Sequence, residues 1–362
     1  MLRVAIVGIR GVPNNYGGFE TLAEYLAEYL STEMQLSIYC SSIDMPYKLA
    51  TYKGAVLQYV SVSSHGFWGI LYDSICLCKA IRHNDRIILL GFGAGFILPF
   101  IGKANRKLIV NFGGLDWQRV KWSYIARRII KLSESLLIRY AASIIADNEG
   151  IQEYILNTYG RHSTLIAYGG DQSQLQAITE AATKKYPFLI KPYCFSVSRI
   201  QPDNNIEMIL RCFIQVNTLQ LVLVGNWNNS EYGKRLKEQY SSCEKIILID
   251  AIYDRDELDM LRSNCTIYIH GHSAGGTNPS LVEAMYLGLP VFAYNSIYNQ
   301  FTTEGKALFF QNESELVTLL QKSNLIDLYT VANNLKQIAL KKYIWRIITQ
   351  QYKIEIYSGF EN

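Results

Sequence analysis

Histidine (5), tryptophan (5), methionine (6), cysteine (7) and proline (8) are all scarce in a chain of 362 residues, and only 18% of its residues are charged. Low charge beside 49% hydrophobic residues excludes a disordered chain, which needs the opposite balance. Few prolines, and 25 glycines without a period, exclude a collagen-like or linker-dominated polymer. An odd number of cysteines in so long a chain excludes a disulfide-stapled scaffold. Only Cys76 and Cys78 lie close together, at a spacing that fits neither a zinc site nor a thioredoxin-type pair. All seven read as reduced thiols, which fits a cytoplasmic protein. The most apolar stretch, Ile87 to Ile101, is interrupted by three glycines and a proline and is too short to span a bilayer. It reads as a buried strand, a glycine turn and the start of a helix. The residues from Met1 lack a signal-peptide layout and read as a strand. A net charge of +4 is too small to argue for nucleic acid.

What is present is alternation. Short apolar runs recur at Arg3–Ile9, Gln35–Cys40, Ala55–Val62, Arg86–Leu90, Lys107–Asn111, Ser143–Ala146 and Thr164–Ala167. A second series follows at Tyr193–Val197, Leu219–Val224, Lys245–Ile249, Thr266–His270, Pro290–Ala293 and Ala307–Phe310. Amphipathic segments lie between them, such as Phe19–Leu30, whose Phe19, Leu22, Ala23, Leu26 and Leu30 share one helical face. Near-continuous apolar strands alternating with helices mean parallel sheets covered on both faces. The length implies two domains, and the strandless stretch Asp171–Lys191, closed by Pro192, is the natural joint. The expected organisation is a doubly wound domain over residues 1–175 and another over 190–340, facing each other. An amphipathic helix lies in the tail, 341–362. Such sheets bind ligands at the carboxyl ends of their strands.

The loop after the first strand carries Gly8, Arg10, Gly11, Gly17, Gly18 and Glu20. Gly11 stands three residues beyond Gly8, so the dinucleotide fingerprint fails and an oxidoreductase is disfavoured. Gly17 and Gly18 nevertheless open a helix, where backbone N–H groups and the fork of Arg10 suit a phosphate. Alternatively, the loop is a flexible connection and Glu20 only a first-turn carboxylate favoured by the helix dipole.

In the second half, Ser198, Arg199, Asp203, Asn204 and Asn205 follow a strand and open a helix, and Gly225 follows the next strand. The densest block runs from His270 to Glu283. Gly275 and Gly276 turn the chain, Thr277 or Asn278 caps a helix, and Pro279 fits its first turn. This is a diphosphate cradle, with Glu283 placed to accept hydrogen bonds from ribose hydroxyls. His270 and His272 lack a third ligand nearby, so no metal site is expected.

The strings GIRGVPNNYGGFET, GLDWQRVKW and HGHSAGGTNPSLVEAM resemble bacterial glycosyltransferases of family four, in particular the rhamnosyltransferase-type branch that builds capsule and O-antigen polysaccharides. The resemblance runs from Met1 to at least Phe310. It implies the GT-B fold: two facing Rossmann-like domains, a cleft between them and a C-terminal helix crossing back. It also implies a transferase that needs no cofactor or metal and retains anomeric configuration, its donor a nucleotide sugar, most simply dTDP-rhamnose. Carried over, Arg199 neutralises the phosphates, Glu283 holds the ribose, and Gly17 and Gly18 lie beside the diphosphate and sugar. Gly225, Asn204 and the backbone of Gly275, Gly276, Thr277 and Asn278 complete the donor site. Most of the wider family has a lysine at the position of Asn204 and a glutamate at that of Gly275. Arg10 is then the candidate for the missing positive charge. Glu20, Asp116 and Trp117 fall on the acceptor side, where the branch usually shows Asp-Gly-Leu-Glu-Trp and this chain has Gly113-Gly114-Leu115-Asp116-Trp117. A nucleotide-sugar epimerase on the same fold, or a non-catalytic binding subunit, are the alternative readings.

Residues 103–139 carry nine basic side chains against Asp116 and Glu134, interleaved with Trp117, Trp122, Tyr124 and several aliphatic residues. A basic amphipathic helix with tryptophans at one end suits an anionic membrane surface. The expected partners are therefore a nucleotide sugar, a saccharide acceptor on polyprenyl diphosphate and the inner face of the plasma membrane, with no nucleic acid. A solvated basic helix face is the plain alternative.

Overall fold

The computed structural model describes residues 1–13, 17–119, 122–217 and 219–358. The chain forms two compact units. The first contains residues 1–118, 122–168 and 345–362; the second contains 169–344 together with 119–121.

The first unit is an eight-stranded sheet of β1 (Arg3–Val7), β2 (Gln35–Ser41), β3 (Thr51–Tyr52), β4 (Ala55–Val60), β5 (Arg86–Leu90), β6 (Leu108–Asn111), β7 (Ser143–Ala146) and β8 (Thr164–Leu165). Its order is β3-β4-β2-β1-β5-β6-β7-β8, parallel except for the β3–β4 edge hairpin, whose two short strands the apolar pattern does not reveal. Helices α1 (Gly18–Leu30), α2 (Gly66–His83), α3 (Tyr124–Tyr140) and α4 (Glu149–Tyr159) form the crossovers. The apolar face expected of residues 19–30 is buried at Leu22, Ala23, Leu26 and Leu30. It packs in one core with Trp345, Ile348, Tyr352 and Ile356 of the C-terminal helix, Trp345–Ser358. Tyr25 stacks on Trp345 with ring centroids 4.4 Å apart. The Arg86 guanidinium donates to the carbonyls of Ile356 (3.1 Å) and Arg106 (2.7 Å), pinning the end of that helix to the sheet.

In the second unit, β9 (Tyr193–Val197), β10 (Gln220–Gly225), β11 (Ile246–Asp250), β12 (Ile267–His270), β13 (Val291–Tyr294) and β14 (Leu308–Phe310) form an all-parallel sheet ordered β11-β10-β9-β12-β13-β14. Its helices are α5 (Glu180–Lys185), α6 (Ile206–Gln215), α7 (Glu231–Tyr240), α8 (Arg255–Ser263), α9 (Pro279–Leu287), α10 (Ile297–Thr302), α11 (Glu313–Gln321) and α12 (Leu328–Lys342). Leu210, Phe213, Leu236 and Leu316 fill one face of this sheet.

Three details differ from the sequence expectation. Residues 171–176 belong to the second unit because the Gln174 amide donates to Asp259 (2.9 Å) and the Gln176 amide to Ser263 (3.2 Å), both on α8, so the boundary falls at Tyr168 and not near 175. The tail helix does not begin at 341: α12 runs through to Lys342 and the last helix starts at Trp345. After β5 the chain forms a 3-10 helix, Gly95–Phe100, with Pro99 inside it where an α-helix would need its N–H. All seven cysteines are free. Among the described residues no helix is long and apolar enough to cross a membrane.

Candidate functional site

In each sheet the direction of winding reverses beside the first strand: between β1 and β5 in the first unit, and between β9 and β12 in the second. Loops leaving two such strands diverge to opposite faces and open a crevice at their carboxyl ends, where doubly wound sheets bind ligands. The donor-side residues named from the second half of the sequence lie on, or directly under, the loops after β9 and β12, except Glu283, which lies on the helix that the second loop enters.

Those two loops are stitched together. Asn204 is buried, and its amide donates to the Arg199 carbonyl at 2.7 Å, so it shapes the loop. Asn205, at φ 52°, turns the chain into α6 and donates to the Gly271 carbonyl at 2.8 Å. The Ser273 amide and hydroxyl both donate to the Asp203 carbonyl, at 3.0 and 2.8 Å. A methyl group at Gly271 would overlap the Asn204 carbonyl, so only glycine lets the loops approach this closely. Gly225 acts from below: a Cβ there would come within 2.5 Å of the Ser198 carbonyl and of Ile200. Its smallness supports the Arg199 loop from underneath. Arg199 itself is exposed above it.

Asn278 caps α9, accepting from the Ser280 amide (3.1 Å) and hydroxyl (2.8 Å), with Pro279 at the first helical position. The Leu281 and Val282 amides close on the Asn278 carbonyl. The positive end of the helix is therefore presented along the backbone of Gly275, Gly276, Thr277 and Asn278, with Gly275 at φ 122°. Beneath it, the His270 and His272 rings stack at 4.4 Å. Burial pushes the His270 pKa down to about 3. Burial also lowers that of His272, and His270, Arg119 and Arg199 lower it further. Both imidazoles are neutral at pH 7 and do not supply charge to an anion.

Glu283 sits one turn into α9, but its carboxylate is engaged. One oxygen accepts from the Gln172 amide at 2.6 Å, and the other pairs with the Arg262 guanidinium. Arg262 is 2% exposed and also meets Ser173 (3.3 Å) and Asp259 (4.0 Å). Burial alone would lower its pKa, but Glu283 and Asp259 raise it above the ordinary value, so the guanidinium stays charged. Burial raises the Asp259 pKa, and Arg262 opposes that shift. Gln172 and Arg262 were not among the sequence candidates. Gln172 sits in a strandless joint and Arg262 on an ordinary amphipathic helix, so only the fold brings them to Glu283.

In the first unit, Gly8 lies against the Leu90 carbonyl with no room for a side chain. Arg10 is not a free cation: its Nε and Nη2 donate to the Asp44 carbonyl at 3.1 and 2.6 Å. Glu20 turns back to accept from the Arg10 amide at 3.2 Å, and a side chain at Gly17 would collide with it. Gly17 is the cap residue of α1 and Gly18 its first residue. Thus Arg10, Gly17, Gly18 and Glu20 do come together, as a closed strand–helix turn. The residues between them, 14–16, lie outside the described residues. Phe19 lies over Gly91 and Gly113, both of positive φ. Asp116 and Trp117 form a short 3-10 helix, and the Lys131 ammonium stands 4.6 Å from the Trp117 ring.

The basic segment is also largely engaged. Lys107 donates to the Ile81 and Asn84 carbonyls at 2.9 and 2.8 Å. Lys131 pairs with the fully buried Glu134 (2.9 Å), which also accepts from Tyr154 (2.6 Å) and Tyr159 (2.7 Å). Arg119 groups with the second unit, and Lys121 lies outside the described residues. Lys103, Arg106, Arg128 and Arg139 stay exposed. On α3 the exposed apolar residues are Tyr124, Ile125, Ile129 and Leu132; Trp117 and Trp122 are half-buried.

Residues 179–304 match the family described as Glycosyl transferases group 1, and residues 1–171 match one described as Domain of unknown function (DUF1972). No curated protein matches the sequence. Among solved structures, the sucrose-phosphate synthase of Thermosynechococcus elongatus is similar over 100% of both chains, with a TM-score of 0.84 at 16% identity. The Anabaena HepE protein in complex with UDP-glucose is similar over 99% of this chain and 100% of that one (TM-score 0.75, 16% identity). The trehalose-6-phosphate protein from E. coli, bound with UDP-2-fluoro glucose, is similar over 98% of each chain (TM-score 0.69, 9% identity). The chain has the GT-B fold, and the stretch of its second unit over residues 179–304 is similar to the glycosyl transferases group 1 family.

Proposed function

We propose that this protein transfers a sugar, most simply rhamnose from dTDP-rhamnose, from a nucleoside diphosphate to a saccharide acceptor on polyprenyl diphosphate in cell-surface polysaccharide synthesis. The observation that carries the donor half is the junction of the β9 and β12 loops, where the loop bearing exposed Arg199 is hydrogen-bonded to the loop that leads into α9, beside a switch point. HepE and the E. coli protein were solved with UDP-sugars, which supports a nucleotide sugar as the ligand here.

Chemically, departure of the nucleoside diphosphate leaves an oxocarbenium-like sugar and concentrates negative charge on the leaving oxygen. A fixed guanidinium and a helix N-terminus stabilise that charge without reorganising as it forms. In this reading transfer is metal-independent and retaining, with the leaving phosphate taking the acceptor proton, so no carboxylate nucleophile is required. Glu283 is held by Arg262 and Gln172 at a fixed orientation, which suits a ribose acceptor group. The exposed isoleucines of α3, flanked by Arg128 and Arg139, support attachment at the inner leaflet.

The test is a melting-temperature screen with dTDP-, UDP- and GDP-sugars. Stabilisation by at least one, lost in Arg199→Ala, is expected; no shift with any of them sinks the transferase reading.

A further inference from the structure

A diphosphate brings at least two negative charges, and Arg199 alone does not balance them. The one sequence candidate for a second cation does not serve: the guanidinium of Arg10 is bound to the Asp44 carbonyl, and Asn204, where the wider family has a lysine, is neutral and tied to the Arg199 carbonyl. Yet a second guanidinium stands at the junction of the two loops. Arg119, though early in the sequence, groups with the second unit. Its Nη1 lies 3.6 Å from the Asp203 carboxylate on the β9 loop, and its Nη2 is 4.0 Å from where a side chain on Gly275 of the β12 loop would begin. No other group comes that near Gly275 among the described residues, apart from its chain neighbours. Both Arg119 and Arg199 lie near enough to the His272 imidazole to act on it electrostatically. Asp203 is itself buried, and neither carboxylate oxygen has a hydrogen-bond partner among the described residues. A buried carboxylate so placed holds a guanidinium by charge, at a distance too long for a hydrogen bond.

Resting on the nucleotide-sugar reading above, we propose that Arg119 is the second cation of the donor site, contacting the diphosphate from the side of Gly275 while Asp203 orients it. Gly275, at φ 122°, takes a backbone conformation that side chains rarely adopt, and it does so within reach of this guanidinium at the approach to the α9 N-terminus. Two guanidinium groups then share the charge that grows as the nucleoside diphosphate departs.

The experiment titrates UDP, dTDP and GDP into the full-length chain, as wild type, Arg119→Ala and Arg119→Met, by calorimetry at low and high salt. For the diphosphate that wild type binds, both variants lose about 10- to 100-fold in affinity, the worth of a hydrogen bond to a charged group. Their affinity also becomes less sensitive to salt, because one cation–phosphate contact is gone. Unchanged affinity overturns the proposal. So does a loss with the salt dependence of wild type, which marks Arg119 as purely structural. Circular dichroism identifies a variant that fails to fold, in which case the methionine variant, which keeps the aliphatic stem, is the one read. Wild type that binds none of the three diphosphates overturns the donor-site reading itself, separately from Arg119.

Discussion

Replacing Glu283 separates a purely ligand-binding carboxylate from one that also holds the fold. In wild type the Arg262 guanidinium is 2% exposed, paired with Glu283 and with the more distant Asp259 at 4.0 Å. Breaking a buried pair by removing one partner costs about 3–5 kcal/mol, because the remaining charge is left uncompensated. Two features reduce that figure here: the Glu283 side chain is 17% exposed, and Asp259 stays behind to share the charge. Glu283→Ala is therefore expected to destabilise the second unit by about 2–3 kcal/mol. At about 2 to 4 °C per kcal/mol for a domain of this size, its melting transition falls by roughly 4–12 °C. Urea unfolding of wild type, Glu283→Ala, Arg262→Met and the double variant forms a cycle, read with a probe of the second unit so that the two units are not averaged. The double variant should lose less than the sum of the singles by at least about 1 kcal/mol. Glu283→Ala within about 0.5 kcal/mol of wild type would refute the reasoning, leaving only the ribose role that the sequence alone implies.

Other outcomes follow from individual contacts. Gly8→Ala and Gly271→Ala each force a methyl group into a carbonyl, so both should unfold their unit or cost more than about 3 kcal/mol, measured by chemical denaturation. Arg10→Ala should lower stability by about 1–2 kcal/mol through the lost Asp44 contact, and leave nucleoside diphosphate affinity within about threefold. His270 titrates near 3 when folded and near 6.5 when unfolded, so the unfolded chain binds the extra proton and stability falls as pH drops from about 6.5 towards 3. His270→Phe keeps a ring and removes that term, so the gap between wild type and variant should change by about 2 kcal/mol between pH 7 and pH 5 in parallel melts. Ile125→Glu with Ile129→Glu should abolish sedimentation with anionic liposomes and leave melting unchanged, since both side chains are on the exposed face of α3.

Periodicity carried most of the architecture because parallel strands buried on both faces are nearly continuous apolar runs, which is what Val4–Val7, Ile87–Leu90 and Leu221–Val224 show. The exceptions are instructive. β3 is a two-residue edge strand with a half-polar sequence, too short for any period to register. The break at Tyr343–Ile344 leaves no mark in the sequence because the helices on either side are both amphipathic. The boundary at Tyr168 was displaced because residues 171–176 look like a linker but dock their amides on α8, a choice made by long-range hydrogen bonds.

Charge was the least legible property, because a sequence counts cations and does not say what they face. The nine basic residues of 103–139 read as one membrane-directed surface. Lys107 is bound to helix-end carbonyls, Lys131 pairs with a buried glutamate, and Arg119 joins the second unit. The converse holds at the donor loops. Arg10 looked like the extra cation because it precedes a glycine turn, yet its fork closes on Asp44 and its neighbour Glu20 closes on its amide. The site's electrostatics follow from where each guanidinium stands and what it faces. Arg10 closes on a backbone carbonyl and Arg262 on Glu283, so both are architectural. Arg119 stands beside Asp203 and Gly275 at the junction of the donor loops, where an incoming anion can draw upon its charge.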